Sequence, residues 1–306
     1  MPMIFEAITT DLSRFQTIQG SLRSESRAPE LVVFGSSILM SGIDGRQLSE
    51  QLPNVERAYN LSSTGQSLVE SYLLQRNLPP NVKTVVQMAS AKDLSSTKTI
   101  ESIKYNALSM YGFRPDKRTR QELGALFGKP MTELLERSET RLRFQSRWAV
   151  RQFIDSSLRQ ILRKDLEIGR AISDVYHPTP YTQHFDSQKV ERLLHTWIES
   201  WPRPKLELVP EKRRLIELMA ERLRERGREF VILQPPMHPA VLEALQPGYM
   251  APMDAFLRGI EGKPGVRVIR AAELLNDGEF FDHIHPDDTG ARRLTALVAQ
   301  ELRGSS

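Results

Sequence analysis

The sequence predicts an α/β fold built on one open, parallel sheet of five strands. Three observations carry this expectation. Five short apolar runs, each too short for a helix and most of them rich in β-branched residues, recur along the chain. Most are near-continuous rather than alternating, as strands covered on both faces are. Segments with helical spacing of apolar residues lie between them, and that alternation implies parallel strands joined by right-handed crossovers.

In chain order the strands are expected at Leu31–Phe34 (LVVF), Val55–Tyr59 (VERAY), Thr84–Met88 (TVVQM), Phe230–Leu233 (FVIL) and Val266–Ile269 (VRVI). A helix over Leu68–Leu78 follows the second strand. Another, over Glu211–Arg226, carries Leu215, Leu218, Met219 and Leu223 on one face, and Gly227 is its natural C′ stop. The last helix runs from Asp288 to Leu302 with Leu294, Leu297, Val298 and Leu302 on one face. Asp287 is placed to cap it, because a carboxylate there accepts from the free amides of the first turn. From Ser95 to Pro204 no strand is expected, only helical segments near Met131–Arg143, Gln145–Lys164 and Ser187–Ser200. Because the sheet must resume afterwards, residues 95–204 read as a helical insertion between strands three and four. Residues 31–94 and 205–306 form the core, and 1–30 are a lead-in. No internal repeat or low-complexity tract interrupts this plan.

With 306 residues, 40% of them hydrophobic, the chain can bury a large core unaided. The absence of cysteine excludes a disulfide scaffold, a thiol nucleophile and thiolate metal sites. No stretch approaches the roughly 20 apolar residues that span a bilayer. The opening MPMIFEAITTDLSRF lacks the basic and apolar regions of a signal peptide, so as written the sequence reads as cytoplasmic. The net charge is +4. Between Arg114 and Arg170, however, 14 Lys/Arg face 8 Asp/Glu. Such a segment is either an ordinary solvated helix face or a surface for anionic polymer, lipid headgroups or a partner.

Ligands of open parallel sheets bind beyond the carboxyl ends of the strands. After the first strand stands Gly35-Ser36-Ser37, a sharp strand-to-helix turn that exposes a hydroxyl beside the amides of a helix start. The same residues also make a plain turn with a capping serine. After the second strand stands Asn60-Leu61-Ser62-Ser63-Thr64-Gly65, where Gly65 permits close backbone approach. Ahead of the last helix stands Asp282-His283-Ile284-His285-Pro286. Asp282 and His285, three apart, lie on one face if the segment makes a helical turn, so that the carboxylate accepts from one imidazole nitrogen and leaves the other to deprotonate a serine. Two other readings of the segment are a capping loop and a metal site formed by Asp282, His283, His285 and Asp287, with His177, His184, His195 or His238 contributing from afar.

Together these blocks resemble the SGNH/GDSL hydrolase superfamily, whose pattern is Gly-x-Ser, a lone Gly, Gly-x-Asn-Asp and a C-terminal Asp-x-x-His. The match runs from Val32 to Leu297. The resemblance implies a three-layer, flavodoxin-like fold in which Ser37 is nucleophile, His285 general base and Asp282 the orienting acid. The amides of Ser37 and Gly65 would hold an oxyanion. Two blocks depart from the pattern. Ser36 replaces the usual Asp of the first, and Ser90-Ala91-Lys92-Asp93 stands in place of Gly-x-Asn-Asp. Losing the Asn donor costs such enzymes about 10²–10³ in turnover. Lys92 either substitutes for it as a cationic donor or points to solvent.

The Gly-Ser-Ser variant, the insertion and the Pro235-Pro236-Met237-His238-Pro239 turn make the chain most similar to a particular branch, the accessory proteins of teichoic-acid D-alanylation and exopolysaccharide O-acetylation. That similarity implies a serine esterase or O-acyltransferase acting on an acylated glycan or small ester, with a membrane-bound acyltransferase as partner. Ser36, Ser90 and His238 would line its substrate pocket, although a loop histidine among prolines also has purely structural uses. No cofactor, metal or nucleic acid is called for. Relatives of this branch carry a membrane helix just before the first strand. If the natural chain extends upstream of the apolar Met3–Phe5, the expectation becomes an extracytoplasmic, membrane-associated protein. The altered third block also supports a different reading, a catalytically silent polymer-binding or scaffold protein on the same fold.

Overall fold

The computed structural model describes residues 14–23, 28–140, 175, 187–201 and 204–304. Five strands form one parallel sheet in the order β2-β1-β3-β4-β5. They are β1 Leu31–Phe34, β2 Ala58–Asn60, β3 Thr84–Met88, β4 Glu229–Gln234 and β5 Val266–Arg270. This is the flavodoxin-like order, with helices on both sides of the sheet.

The near-continuous apolar runs are explained by the pleat, which sends successive side chains to opposite faces. Val32, Phe34, Val85, Phe230 and Ile232 enter one core layer. Leu31, Val33, Val86, Val231 and Leu233 enter the other. The central strands are covered on both faces, so most of their positions are apolar, and the polar Asn60 and Gln87 are buried with hydrogen-bond partners.

The helices, in chain order, are α1 over residues 14–23, α2 Ser37–Gly42, α3 Gly45–Gln51, α4 Leu68–Gln75, α5 Ala91–Ser95, α6 Ser102–Met110, α7 Lys117–Thr140, α8 Ser187–Glu199, α9 Pro210–Glu225, α10 Pro239–Ala244, α11 Ala251–Glu261 and α12 Asp288–Arg303. The described residues between β3 and β4 contain helices and no strand. The expected segment Gln145–Lys164 lies outside the described residues, as do His177 and His184. Gly227 follows α9 at φ 67, as a C′ stop requires. Among the described residues, no helix is long and apolar enough to cross a membrane.

Three expectations need correction. The second strand starts at Ala58 rather than Val55, because the Val55 amide closes a turn on Leu52 and the Arg57 amide is taken by the Glu30 carboxylate at 2.7 Å. The helix placed at Met131–Arg143 begins at Lys117 and runs to Thr140, bent at Gly128 (φ 70) ahead of Pro130, two residues that conceal its periodicity. The helix after β2 stops at Gln75 rather than Leu78. Part of the basic stretch is ion-paired at the surface, with Arg118 bridging Glu122 at 3.1 Å and Glu225 at 3.3 Å.

At the carboxyl edge of the sheet, Asn60 is fully buried and joins two strand ends. Its Nδ2 donates to the carbonyls of Leu39 (2.7 Å) and Ile43 (2.9 Å) in and after α2, and its Oδ1 accepts from the Ser62 amide at 3.1 Å. Removing that amide orphans buried carbonyls. Asn60→Ala is therefore expected to lower stability by roughly 2–4 kcal/mol, read as a lower urea midpoint at unchanged slope. An unmoved midpoint would show that Asn60 does not brace this edge.

Candidate active site

Ser37 sits at the first position of α2, directly beyond β1. The turn that delivers it is close-packed: a Cβ on Gly35 would lie 2.9 Å from Leu39 Cγ and from Met88 Cβ, distances no side chain tolerates. Ser36 caps the helix, its Oγ accepting from the Ile38 amide at 3.4 Å. The capping-serine reading thus applies to Ser36, which leaves the neighbouring hydroxyl of Ser37 available.

His285 and Asp282 come from the loop between β5 and α12. The loop is pinned at its base by an antiparallel bridge between Phe280 and Pro286 and by the Phe281 amide donating to the His285 carbonyl at 2.8 Å. It is not a helical turn, as the spacing had suggested. Asp282 Oδ1 instead accepts the amides of Ile284 and His285, both at 2.9 Å, and so folds the chain around its own carboxylate. Oδ2 is left to meet His285 Nδ1 at 2.8 Å. The opposite nitrogen, Nε2, lies 2.9 Å from Ser37 Oγ across 248 residues of sequence. With Nδ1–H donating to the carboxylate, Nε2 is the acceptor for the serine hydroxyl.

Asp282 and His285 are buried, at 5% and 9% exposure. Burial by itself would raise the Asp282 pKa. The hydrogen bond and charge of His285, with the two loop amides, outweigh it and hold the carboxyl below its ordinary value.

Ser37 opens into a cavity of about 210 Å³, bordered also by Ser36, Gly65, Ser90, Lys92 and His238. The structure thus brings every sequence-predicted site residue to one place, apart from Asp282 and His285, which stand behind Ser37. Gly65 takes φ +54 and carries no side chain over its amide. Among the described residues, no group accepts from the amides of Ser37 or Gly65. Ser90 caps α5, accepting from the Asp93 amide at 3.0 Å and donating to Asp93 Oδ2 at 2.7 Å.

Lys92 does not extend into solvent. Its ammonium lies 4.0 Å from the ring centroid of Trp197 and 5.7 Å from that of Trp201, and it hydrogen-bonds Ser200 Oγ. Burial lowers its pKa, with nearby Asp93 acting the other way. His238 combines two placements. Its Nδ1 caps α10 by accepting from the Ala240 amide at 3.3 Å, its ring packs on Phe280, and it still borders the cavity.

The sequence reading missed Trp197 and Trp201, which wall the cavity from α8 and just beyond it, and it weighed His283 only as a metal ligand, whereas His283 borders the cavity and meets Trp197 edge to face at 5.6 Å. Their only sequence signal was tryptophan on an amphipathic helix, which is more often ordinary packing. The four residues weighed as a metal set are engaged in other contacts, with His283 Nδ1 also 3.8 Å from Asp282 Oδ1. Asp287 caps α12 at 2.8 Å, Asp282 and His285 bind each other, and His283 faces Trp197. Among the described residues, no cluster of three or more His, Asp or Glu is arranged to hold a metal ion. A larger cleft of about 1040 Å³, bordered by Ile100, Phe127 and Met131, includes neither Ser37 nor either histidine of the loop.

Comparison of the sequence with protein-family models and with curated proteins finds no match. What the site shows is therefore its geometry: a serine hydroxyl in hydrogen-bond reach of an imidazole that a carboxylate orients.

The depressed Asp282 pKa sets a sign for acid stability. A carboxyl with a folded pKa below its ordinary value of 3.8 contributes stability that is full above that pH and is lost as pH falls through the folded value. The stability gap between the natural chain and Asp282→Asn, from urea unfolding, should be widest near neutral pH and close as the pH falls below the ordinary carboxylate range. A gap that widens in acid would contradict the ionised assignment.

Proposed function

We propose that this chain is a serine esterase or O-acyltransferase that acts on an acyl ester of a glycan or similar polymer. The single observation behind the reading is the unbroken relay from Asp282 through His285 to Ser37, at 2.8 and 2.9 Å, ending at a cavity mouth. The resemblance to the SGNH/GDSL superfamily, in its glycan O-acylation branch, supports it independently, through the order of the three sequence blocks along the chain. By the same resemblance, a membrane-bound acyltransferase is the partner proposed.

In the mechanism, Ser37 Oγ attacks the acyl carbonyl carbon as its proton passes to His285 Nε2. Asp282 fixes the tautomer that makes this possible and stabilises the imidazolium. The carbonyl π pair moves onto oxygen, and the amides of Ser37 and Gly65 are the donors for the resulting oxyanion. Collapse re-forms the carbonyl and breaks the ester C–O bond, and the departing alkoxide takes the proton from Nε2. The acyl group now rests on Ser37. Water or a sugar hydroxyl then attacks the acyl carbon, losing its proton to His285, and collapse breaks the bond to Ser37 Oγ, which takes that proton back from Nε2, to give hydrolysis or transfer.

A fluorophosphonate probe tests this directly, because it phosphonylates only an activated serine. Labelling at Ser37 is expected, abolished in Ser37→Ala and strongly reduced in His285→Ala. With a 4-nitrophenyl ester, Asp282→Asn should lower kcat by about 10³–10⁴, since the imidazole then adopts the wrong tautomer. A folded chain that never labels would favour the other reading, a catalytically silent polymer-binding protein.

A further inference from the structure

The cavity is unusual in how its hydrogen-bonding groups are divided. His238 Nδ1 accepts from the Ala240 amide, so in the neutral ring the proton is on Nε2, which has no partner among the described residues. Trp201 is 5% exposed, and its buried indole N–H has no acceptor among the described residues. Lys92 brings a full charge with no carboxylate at ion-pair distance among the described residues. Among the described residues, the only acidic side chain bordering the cavity is Asp93. One of its oxygens is taken by Ser90, burial raises its pKa, and the Lys212 charge stands behind it. Two donors with unused capacity, the His238 Nε2–H and the cationic Lys92, thus border the cavity beside that single carboxylate.

A donor-rich, partly desolvated wall is complementary to a ligand rich in acceptors. We propose that this cavity binds an ester whose acyl portion carries an anionic group, a carboxylate or a phosphate, held by Lys92 with the His238 N–H group. The proposal rests on the esterase reading for its place beside Ser37, but the binding itself does not require turnover. At about 210 Å³ the cavity is smaller than the roughly 300–1,000 Å³ of drug-sized sites, so the occupant is a short acidic acyl group rather than a long chain. The aromatic rings that flank Lys92 shield part of its charge from water.

Two measurements test it and fail separately. In calorimetry on full-length Ser37→Ala, succinate or inorganic phosphate is expected to bind. Affinity should fall about tenfold or more when Lys92→Met or, should that variant misfold, Lys92→Gln is added. The stronger of the two titrants identifies carboxylate or phosphate as the natural group. Binding of neither ion, or binding that ignores both Lys92 variants, overturns the proposal whether or not the serine is reactive. In kinetics, the ratio of kcat/KM for the 4-nitrophenyl monoester of succinate to that for 4-nitrophenyl butyrate should exceed one and drop about tenfold in Lys92→Met. A ratio that does not change rejects the anion site while leaving the esterase reading intact. A chain that binds succinate through Lys92 yet turns over neither ester rejects the esterase reading alone.

Discussion

The two oxygens of the Asp282 carboxylate do different work, and the site depends on that division. Oδ1 accepts two successive backbone amides and thereby folds the loop, while Oδ2 is left pointing at His285. A side chain that only bonded the imidazole would leave the loop free to rotate. One that only capped the loop would leave the imidazole without a fixed tautomer. Three charge-assisted bonds to a group that is 5% exposed also settle its ionisation, because they outweigh the cost of burying the charge. The Asp-x-x-His spacing is a consequence: with two residues between, one carboxylate reaches both amides and the ring.

Holding that loop over Ser37 is a task for the scaffold. Phe280 and Pro286 bridge its base, and Asp287 starts α12 immediately beyond. Thr295 in α12 is fully buried and accepts from the Asp44 amide at 3.0 Å, which ties α12 to the end of the helix that presents Ser37. On the other flank, Asn60 binds the carbonyls of Leu39 and Ile43 from the end of β2. The serine helix is therefore clamped by buried polar contacts from both sides, and such second contacts are what keep reacting groups within the few tenths of an ångström that catalysis needs.

Much of this was legible in the sequence, for physical reasons. Strands buried on both faces write themselves as apolar runs, so four of the five were readable almost to the residue. Glycine at Gly35 and the Asp282/His285 pair are short-range signals, set by local sterics and hydrogen bonding. The second strand was misread because Val55 and Arg57 look like strand residues but are spent on a turn and on Glu30. The bend in α7 broke a helix signal at Gly128. Lys92 could be assigned to oxyanion or solvent but not to its actual neighbours, because Trp197 and Trp201 reach it from about a hundred residues away. Contacts of that kind leave no local pattern.

The placement of Lys92 also bears on what an altered third block means for chemistry. A neutral amide donor at that position would act on the developing oxyanion alone, lowering only the barrier. An ammonium lodged against two indole rings exerts a longer-ranged field, and it acts on any negative charge in the cavity, whether already on the substrate or formed in the transition state. When the substrate brings its own anion, most of that field is satisfied on binding, and the benefit falls on the ground state as much as on the transition state. The exchange of amide for ammonium would then trade rate for selectivity: tighter capture of acidic acyl groups, with the oxyanion left mainly to the backbone amides of Ser37 and Gly65. On this view the departure from the usual pattern does not mark a failing active site. It belongs with the tryptophan wall, because aromatic rings beside an ammonium shield part of its charge from water and so strengthen its field in the cavity.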